Sequence, residues 1–289
     1  MNTPIKVIYI LSLGHSGSTL LDLILGSHSQ IESVGEIMAF GKYWKSFSDN
    51  SLKLEEKDCC TCGYHVNECD YWSKVRYEME ANCEELGIVP SFNSKEEINE
   101  NTYCLLKAVL KISGKKIVCD SSKNLLRLKN YLKSELFEVF ILHLVRDSRA
   151  VAYSWAKKRV HSEKEAQYSY YNVLKRWQKF NINNYSSFSN FTNYFCLRYE
   201  DLVSDTPHTI SKILEKNSLE FESDQLQFWK LKHHNLYGNR MRRRGNQEIK
   251  IDSSYLEKLS HQEWWLGTLL TASGLRLFDY SIQRKYQLK

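Results

Sequence analysis

The sequence predicts an α/β fold in which helices cover both faces of a parallel β-sheet. Four short apolar segments rich in β-forming residues read as buried strands. They are Lys6–Leu13, Lys115–Cys119, Phe137–Val145 and Tyr194–Arg198. Stretches with helical spacing separate them, and strands that alternate with helices are typical of parallel sheets. Each polar motif described below follows one of these strands, which is where ligands bind in such folds.

The elements follow one another in a regular order. Gly14 stops the first strand, and the leucines and isoleucine of Thr19–Leu25 then fall at helical spacing, with Gly26 as the helix end. After the third strand, Asp147 or Ser148 is a suitable N-cap for the next helix. A further helix begins near Thr206 and Pro207.

No Pro-rich or Gly/Ser-rich linker interrupts the 289 residues. We therefore predict one domain over residues 1–289. Residues 45–105 are predicted to form an inserted, lid-like segment on the substrate side.

The composition is that of an ordinary globular protein, with 42% hydrophobic and 26% charged residues. The net charge of +6 is a mild excess that suits a polyanionic ligand. Aromatic residues beside the basic tracts 157–159 and 240–244 lie at mixed helical phases, which favours core packing over stacking on nucleic-acid bases. No apolar run reaches the roughly 20 residues of a membrane span, and no signal-peptide pattern is present, so a cytoplasmic protein is expected.

The segment between the first strand and the first helix has the character of a phosphate-binding loop. Two glycines allow a tight turn, and the free N–H groups at a helix start attract anions. A P-loop of the ATP-binding type needs a lysine after its last glycine, and Ser18 stands there instead. An ATP-dependent kinase and a turn without a ligand remain alternatives to an anion site of another kind. The candidate residues are Gly14, His15, Ser16, Gly17, Ser18 and Thr19.

A second anion site is predicted after the third strand. Arg146 ends that strand, and Ser154 lies eight residues later, about two helical turns on. An arginine fork together with a hydroxyl suits a terminal phosphate. The alternative is that Arg146 pairs with the nearby carboxylate of Asp147. Two separated anion sites fit adenosine 3′-phosphate 5′-phosphosulfate and do not fit ATP.

At this point the chain resembles the sulfotransferase family that uses 3′-phosphoadenosine 5′-phosphosulfate (PAPS) as donor. The run Gly-His-Ser-Gly-Ser-Thr-Leu at 14–20 is similar to the family's 5′-phosphosulfate loop, and Arg146 with Ser154 is similar to its 3′-phosphate motif. Weaker similarities lie in Leu197–Leu202 and Met241–Gly245. The resemblance runs from residue 5 to about residue 250 and implies a P-loop-like α/β fold. It is nearest to bacterial enzymes related to tyrosylprotein and carbohydrate sulfotransferases.

The resemblance also implies roles for single residues. Glu36 matches the glutamate that acts as general base, and a surface glutamate beside a turn glycine is the alternative. Lys123 is expected near the bridging oxygen, although related enzymes place this lysine one or two residues earlier, and a solvated lysine is the alternative. His15 stands where the family has arginine or lysine and is expected to hydrogen-bond the leaving group. Donor contacts are expected from Tyr199, which could equally be a core residue, and from Arg243, Arg244 and Gly245, whose alternative is a solvated basic face.

The expected activity is therefore O-sulfuryl transfer from PAPS to an acceptor hydroxyl, on a carbohydrate, a tyrosine or a small molecule. The sulfuryl group carries less charge than a phosphoryl group, so no metal ion is needed for the transfer. The alternative function is a kinase-type phosphotransferase that uses ATP. Nucleic acid is not an expected partner, and the oligomeric state is open.

Four cysteines fall within eleven residues: Cys59, Cys60, Cys62 and Cys69. Metal ligation, a disulfide and reduced thiols are all compatible with this cluster. Structural zinc normally takes two closely spaced pairs of ligands, and only Cys62 and His65 make such a pair. No metal residue is therefore predicted.

Overall fold

The computed structural model describes residues 3–47, 55, 58–92, 98–157, 169–243 and 248–284. In these ranges five strands form one sheet in the order β2-β3-β1-β4-β5. Strand β3 pairs in parallel with both β1 and β2, with Val7 and Glu32 each opposite Val118. The predicted parallel α/β sheet is thus confirmed. The strands are β1 (Ile5–Ser12), β2 (Ile31–Gly35), β3 (Ile117–Asp120), β4 (Phe137–Val145) and β5 (Tyr194–Arg198).

Strand β2 was not among the strands predicted from the sequence. Its sequence, Ile-Glu-Ser-Val-Gly, holds only two apolar residues, so it lacks the apolar run that reveals a buried strand. All five residues are nevertheless buried. The Glu32 carboxylate compensates for its burial by accepting a hydrogen bond from the Tyr71 hydroxyl at 2.8 Å and by lying 3.1 Å from the Lys115 ammonium.

Helices occupy most of the remaining described residues, and none of them is both long and apolar enough to cross a membrane. Helix α6 begins at Ser148, and the Asp147 carboxylate accepts a hydrogen bond from the Arg149 N–H at 2.9 Å, as the predicted N-cap requires. The helices are α1 (Ser18–Gly26), α2 (Phe40–Trp44), α3 (Asp70–Glu85), α4 (Ile98–Ser113), α5 (Leu125–Lys133), α6 (Ser148–Lys157), α7 (Tyr170–Phe188), α8 (Tyr199–Ser204), α9 (Thr206–Glu215), α10 (Ser254–Lys258), α11 (His261–Leu270) and α12 (Ala272–Leu277).

The residues group into two compact units, each assembled from distant stretches of the chain. Unit 1 comprises Met1–Leu11, Thr19–Ile141 and Leu214–Gln247. Unit 2 comprises Ser12–Ser18, Leu142–Ile213 and Glu248–Lys289. A single domain over residues 1–289 stays a prediction.

The predicted insertion at 45–105 contains α3 and the first half of α4. Helix α3 buries Trp72, Val75, Met79 and Cys83, whose spacing of three and four residues places them on one face. The Asn82 amide on this helix donates to the carbonyl of Cys104 on α4 at 3.2 Å. The described part of the insertion is thus two packed helices in unit 1, and its lid-like role stays a prediction.

A buried carboxyl lies in the middle of α1. The side chain of Asp22 is 1% exposed and accepts a hydrogen bond from the Asn235 amide at 2.7 Å. Burial disfavours its charged form and raises its pKa from 3.8 to about 6. At a pH between 3.8 and about 6, Asp22 is therefore protonated in the folded protein and ionised in the unfolded chain.

This pKa shift predicts a loss of stability as the pH rises. The contribution of Asp22 is full below its unfolded pKa, and up to about 3 kcal/mol is lost by the time the pH passes 6. Urea unfolding between pH 4 and pH 7 should show this fall in wild type and not in Asp22→Asn, which keeps the hydrogen-bond acceptor. Parallel stability curves for the two proteins would contradict the prediction.

Candidate active site

The loop that joins β1 to α1 has the backbone of an anion site. His15 has a φ angle of 70° and Gly17 one of 94°, both in the left-handed region. A Cβ at Gly17 would lie 2.4 Å from the Tyr199 ring, so only glycine fits there. Successive turns of this kind direct backbone N–H groups into a concave anion-binding surface.

Trp155 on helix α6 fixes this loop. Its indole N–H donates to the Gly14 carbonyl at 3.1 Å, and a Cβ at Gly14 would approach the indole ring to 2.9 Å. The rings of Trp155 and His15 have centroids 4.5 Å apart. Close packing therefore requires glycine at both positions, and the backbone turn requires it at Gly17 as well.

Arg146 lies at the end of β4 and contacts the same loop. Its guanidinium donates to the His15 carbonyl at 3.2 Å and to the Asp252 carboxylate at 3.0 Å, and it lies 4.5 Å from the centre of the Tyr199 ring. The side chain is 8% exposed, and its Nε has no hydrogen-bond partner among the described residues. A buried cation with an unsatisfied N–H is a suitable ligand for a phosphate.

Ser154, at the other end of the Arg146 motif, also contacts the β1–α1 loop. Its hydroxyl lies 2.8 Å from Nδ1 of His15. Arg146 and Ser154, eight residues apart, therefore both contact His15, one through its carbonyl and the other through its ring. The sequence predicted that these two residues converge, and they do so on the predicted loop.

The alternative for Arg146, a pairing with Asp147, is wrong. The Asp147 carboxylate binds Arg149 instead, with one guanidinium nitrogen at 2.6 Å and Nε at 2.9 Å. Arg149 is 1% exposed and also lies over the Trp264 ring, 3.9 Å from its centre. Asp147 and Arg149 thus satisfy each other, and Arg146 pairs with Asp252, a residue that no sequence pattern had indicated.

The Tyr-Glu-Asp-Leu segment that begins α8 has a positioning role in unit 2. Tyr199 is 7% exposed and is packed against Gly17 and the Arg146 guanidinium. The Glu200 carboxylate accepts hydrogen bonds from the Asp147 N–H at 3.1 Å and the Tyr280 hydroxyl at 2.7 Å, and burial raises its pKa. This geometry accounts for Tyr199 as a packing residue, and its contact with adenine stays a prediction.

In unit 1, Glu36 and Lys123 form a close ion pair. The Lys123 ammonium lies 2.5 Å from Oε1 of Glu36, and both side chains are less than one-fifth exposed. Glu36 follows β2, while Lys123 follows β3, so neighbouring parallel strands bring the two together. The family resemblance indicated both residues, and in the structure their side chains are in contact.

The backbone on both sides of this pair is held firmly. Lys123 has a φ angle of 58°, and the next residue, Asn124, exchanges hydrogen bonds of 2.8 and 2.9 Å with the Tyr9 hydroxyl. Glu36 donates its N–H to the Leu236 carbonyl at 2.8 Å. Gly35 has a φ angle of 68°, and a Cβ there would lie 2.4 Å from the same carbonyl, so the glycine before Glu36 is obligatory.

The segment after Leu236 lies beside Glu36 and the start of α1. A Cβ built on Gly238 would be 3.7 Å from the Glu36 carboxylate and 3.5 Å from the Thr19 hydroxyl. The Thr19 hydroxyl accepts a hydrogen bond from the Asn239 N–H at 3.3 Å. No motif marks residues 235–239, so their position near the site could not be predicted from the sequence.

The basic tract is only partly described. Arg242 is buried and donates to the carbonyls of Cys59 at 2.7 Å and Asn235 at 3.1 Å, so this residue supports the backbone. Arg243 is half-buried at the end of the 3-10 helix Arg240–Arg243. Arg244 and Gly245 lie outside the described residues, and the donor contacts of all three stay predictions.

The family of the chain follows from comparison with known proteins. A model described as "Sulfotransferase family" matches residues 7–224, which span β1 through α9. No curated protein matches the chain.

Solved structures share the fold. The sulfotransferase domain of the Synechococcus PCC 7002 olefin synthase superposes with a TM-score of 0.56 at 19% identity, covering 97% of both chains. The sulfotransferase domain from the curacin biosynthetic pathway gives 0.59 at 18% identity and covers 98% of this chain and 100% of its own. These likenesses support the P-loop-like α/β fold.

The match over three quarters of the chain confirms the resemblance that the loop and the Arg146 motif had indicated. The prediction of an enzyme is confirmed with it, and the kinase alternative loses its basis. The chain belongs to the sulfotransferase family, whose enzymes transfer a sulfuryl group from PAPS.

Proposed function

We propose that this sulfotransferase binds PAPS through the β1–α1 loop and Arg146, and that Glu36 is the general base for an acceptor hydroxyl. The observation that carries the proposal is the joint contact of Arg146 and Ser154 with His15. Two side chains suited to a phosphate thus contact the same residue of the anion-binding loop, which supports a shared role in holding one ligand.

The donor roles follow from charge and geometry. The loop offers backbone N–H groups and the hydroxyls of Ser16, Ser18 and Thr19 for the 5′-phosphosulfate. Arg146, with its buried unsatisfied Nε, suits the 3′-phosphate, and Ser154 supports it. The bond between Ser154 and Nδ1 fixes the orientation of the His15 ring, which we assign to the leaving phosphate oxygens.

The proposed transfer step is an in-line displacement at sulfur. Glu36 removes the proton from the acceptor hydroxyl, whose oxygen forms a bond to sulfur. The bond from sulfur to the bridging oxygen breaks, and its electron pair stays on the 5′-phosphate of adenosine 3′,5′-bisphosphate. Lys123 stabilises the negative charge that develops on the bridging oxygen.

The Glu36–Lys123 pair suits both roles. In the absence of ligands the Lys123 ammonium lies 2.5 Å from Oε1 of Glu36, so each side chain compensates the charge of the other. The flexible lysine stem can turn towards the bridging oxygen without moving the Glu36 backbone, which Leu236 holds. Glu36 then has an acceptor oxygen available for the substrate proton.

For the acceptor we propose a hydroxyl on a carbohydrate, a tyrosine or a small molecule, and no nucleic acid. A cytoplasmic location is proposed with it. None of the eight cysteines forms a disulfide bond, which is usual in a reducing compartment.

The proposal is tested by calorimetric titration with adenosine 3′,5′-bisphosphate in parallel with Mg-ATP. We expect tight binding of the bisphosphate and little response to ATP, because the loop lacks the lysine that ATP sites require. A preference for Mg-ATP, or no binding of either ligand, would contradict the proposed donor site.

A further inference from the structure

Three cysteines and one histidine of unit 1 come together outside the proposed catalytic pair. The ligand atoms of Cys60, Cys62, Cys69 and His234 all lie within 4.8 Å of one another. In the sequence His65 is the histidine closest to these cysteines, but it does not join this group in the structure. His65 lies with its Nδ1 3.6 Å from the thiol of Cys59 instead. His234, 165 residues from Cys69, has no sequence signal that links it to the cysteines.

We propose that Cys60, Cys62, Cys69 and His234 bind one structural zinc ion. Sulfur atoms in a tetrahedral zinc site lie about 3.8 Å apart, given Zn–S bonds of about 2.3 Å. Here the sulfurs of Cys62 and Cys69 are 3.5 Å apart, and Nδ1 of His234 lies 3.5 and 3.3 Å from the sulfurs of Cys60 and Cys69. These distances fit four ligands around a single ion and are far too long for a disulfide bond.

The chemistry of the ligand set favours zinc. Three thiolates and one imidazole form a common closed tetrahedral zinc site, whereas magnesium and calcium require oxygen ligands. Four protein ligands leave no open position for water or substrate. The ion would therefore stabilise the fold without entering the transfer step.

The surrounding residues hold the ligands in place. Gly63, with a φ angle of 98°, donates its N–H to the Cys60 carbonyl at 3.0 Å and closes the turn that carries Cys60 and Cys62. Tyr71 stacks on the His234 ring, with centroids 4.5 Å apart and planes at 8°. Trp72 donates its indole N–H to the His234 carbonyl at 2.8 Å. Such outer contacts orient the ligands of metal sites.

Electrostatics also favour the site. Three thiolates and Zn²⁺ carry a net charge of −1. Cys69 is the N-cap of the 16-residue helix α3, where the helix dipole stabilises negative charge. The buried Arg242 guanidinium, bonded to the Cys59 carbonyl at 2.7 Å, supplies a positive charge close to the cysteine segment.

The ion would connect the cysteine segment to the backbone that supports Glu36. The residue after His234, Asn235, accepts a hydrogen bond from the Thr61 N–H at 3.2 Å. The N–H of Leu236 donates a hydrogen bond to the Val34 carbonyl at 3.0 Å, and the Leu236 carbonyl accepts one from the Glu36 N–H at 2.8 Å. This consequence rests on the proposed role of Glu36, whereas the metal site itself does not.

The first experiment measures zinc in the full-length protein by mass spectrometry of the metal. Wild type should contain about one zinc per chain. His234→Ala and Cys62→Ser should lose it. His65→Ala and Cys59→Ser are matched controls from the same segment and should keep it. Equal loss of zinc in the controls would overturn the ligand assignment.

A second measurement does not depend on whether the variants fold. Cobalt added to metal-free wild type under reducing conditions should give the visible absorption of tetrahedral cobalt with thiolate ligands, and chelation should lower the Tm by roughly 5–10 °C. No zinc in the purified protein together with no cobalt spectrum would overturn the proposal. A Cys62–Cys69 disulfide in mass spectra of the unreduced protein would overturn it as well. Binding of adenosine 3′,5′-bisphosphate, measured separately, reports on the donor site and distinguishes failure of one proposal from failure of the other.

Discussion

Replacing Glu36 by glutamine should lower the rate of sulfuryl transfer by about 10²–10⁴-fold, which is the usual contribution of a general base. Glutamine keeps the size of the side chain and the backbone bond to Leu236, but it cannot take the acceptor proton. The affinity for adenosine 3′,5′-bisphosphate should stay within about threefold of wild type, because donor binding is assigned to other residues. Single-turnover release of bisphosphate from PAPS with an identified acceptor measures the first quantity, and calorimetry measures the second.

A second glutamate, on the strand that precedes Glu36, provides a matched control. Glu32 pairs with Lys115 at 3.1 Å, much as Glu36 pairs with Lys123, but it lies four residues earlier and is 8% exposed. Glu32→Gln should reduce stability, because a buried ion pair is broken, and should leave turnover of the folded protein unchanged. Wild-type turnover in Glu36→Gln, or an equal loss of turnover in both variants, would show that the base lies elsewhere.

Local sequence patterns were enough to predict the sheet core and the loop. Strand β4 is a largely apolar run, and the loop after β1 is marked by Gly14 and Gly17, both of which close packing requires. Arg146 and Ser154 were predictable because eight residues bring them from a strand end to a point two turns into a helix. Each of these predictions depends on residues that are close together in the chain.

Contacts between distant residues could not be predicted in the same way. Asp252 binds Arg146 across 106 residues, and His234 joins cysteines that are 165 or more residues away. The Arg149–Asp147 pair shows a second reason why local sequence is not sufficient. Arg146 and Arg149 are both close to Asp147 in the chain, so the sequence does not indicate which of them binds its carboxylate. In the structure Arg149 binds this carboxylate and packs against Trp264, whereas Arg146 binds Asp252, and both of these partners are distant in the chain.

Replacing Arg146 by alanine should weaken the binding of adenosine 3′,5′-bisphosphate by about 10²–10⁴-fold. The loss of two charge-assisted hydrogen bonds to a phosphate, each worth about 1.5–3 kcal/mol, accounts for this range. Arg146→Lys should recover only part of the affinity, because an ammonium cannot reproduce the planar fork. Calorimetry with the bisphosphate measures both effects, and unchanged affinity in the alanine variant would remove Arg146 from the donor site.

A substitution at Asp252 is expected to change bisphosphate affinity in the opposite direction. The Asp252 carboxylate lies 3.0 Å from the Arg146 guanidinium. Burial acts to raise the pKa of Asp252, but the hydrogen bonds from Ser254 and Arg146 outweigh it and lower that pKa, so the carboxylate is charged at neutral pH. A phosphate that binds Arg146 must compete with this charge. Asp252→Asn should therefore strengthen bisphosphate binding several-fold, whereas Arg198→Gln, which removes a buried arginine paired with Asp201, should change stability alone. If Asp252→Asn weakens binding, the carboxylate orients Arg146 for the phosphate instead of competing with it, and the donor site already has its bound arrangement before the ligand arrives.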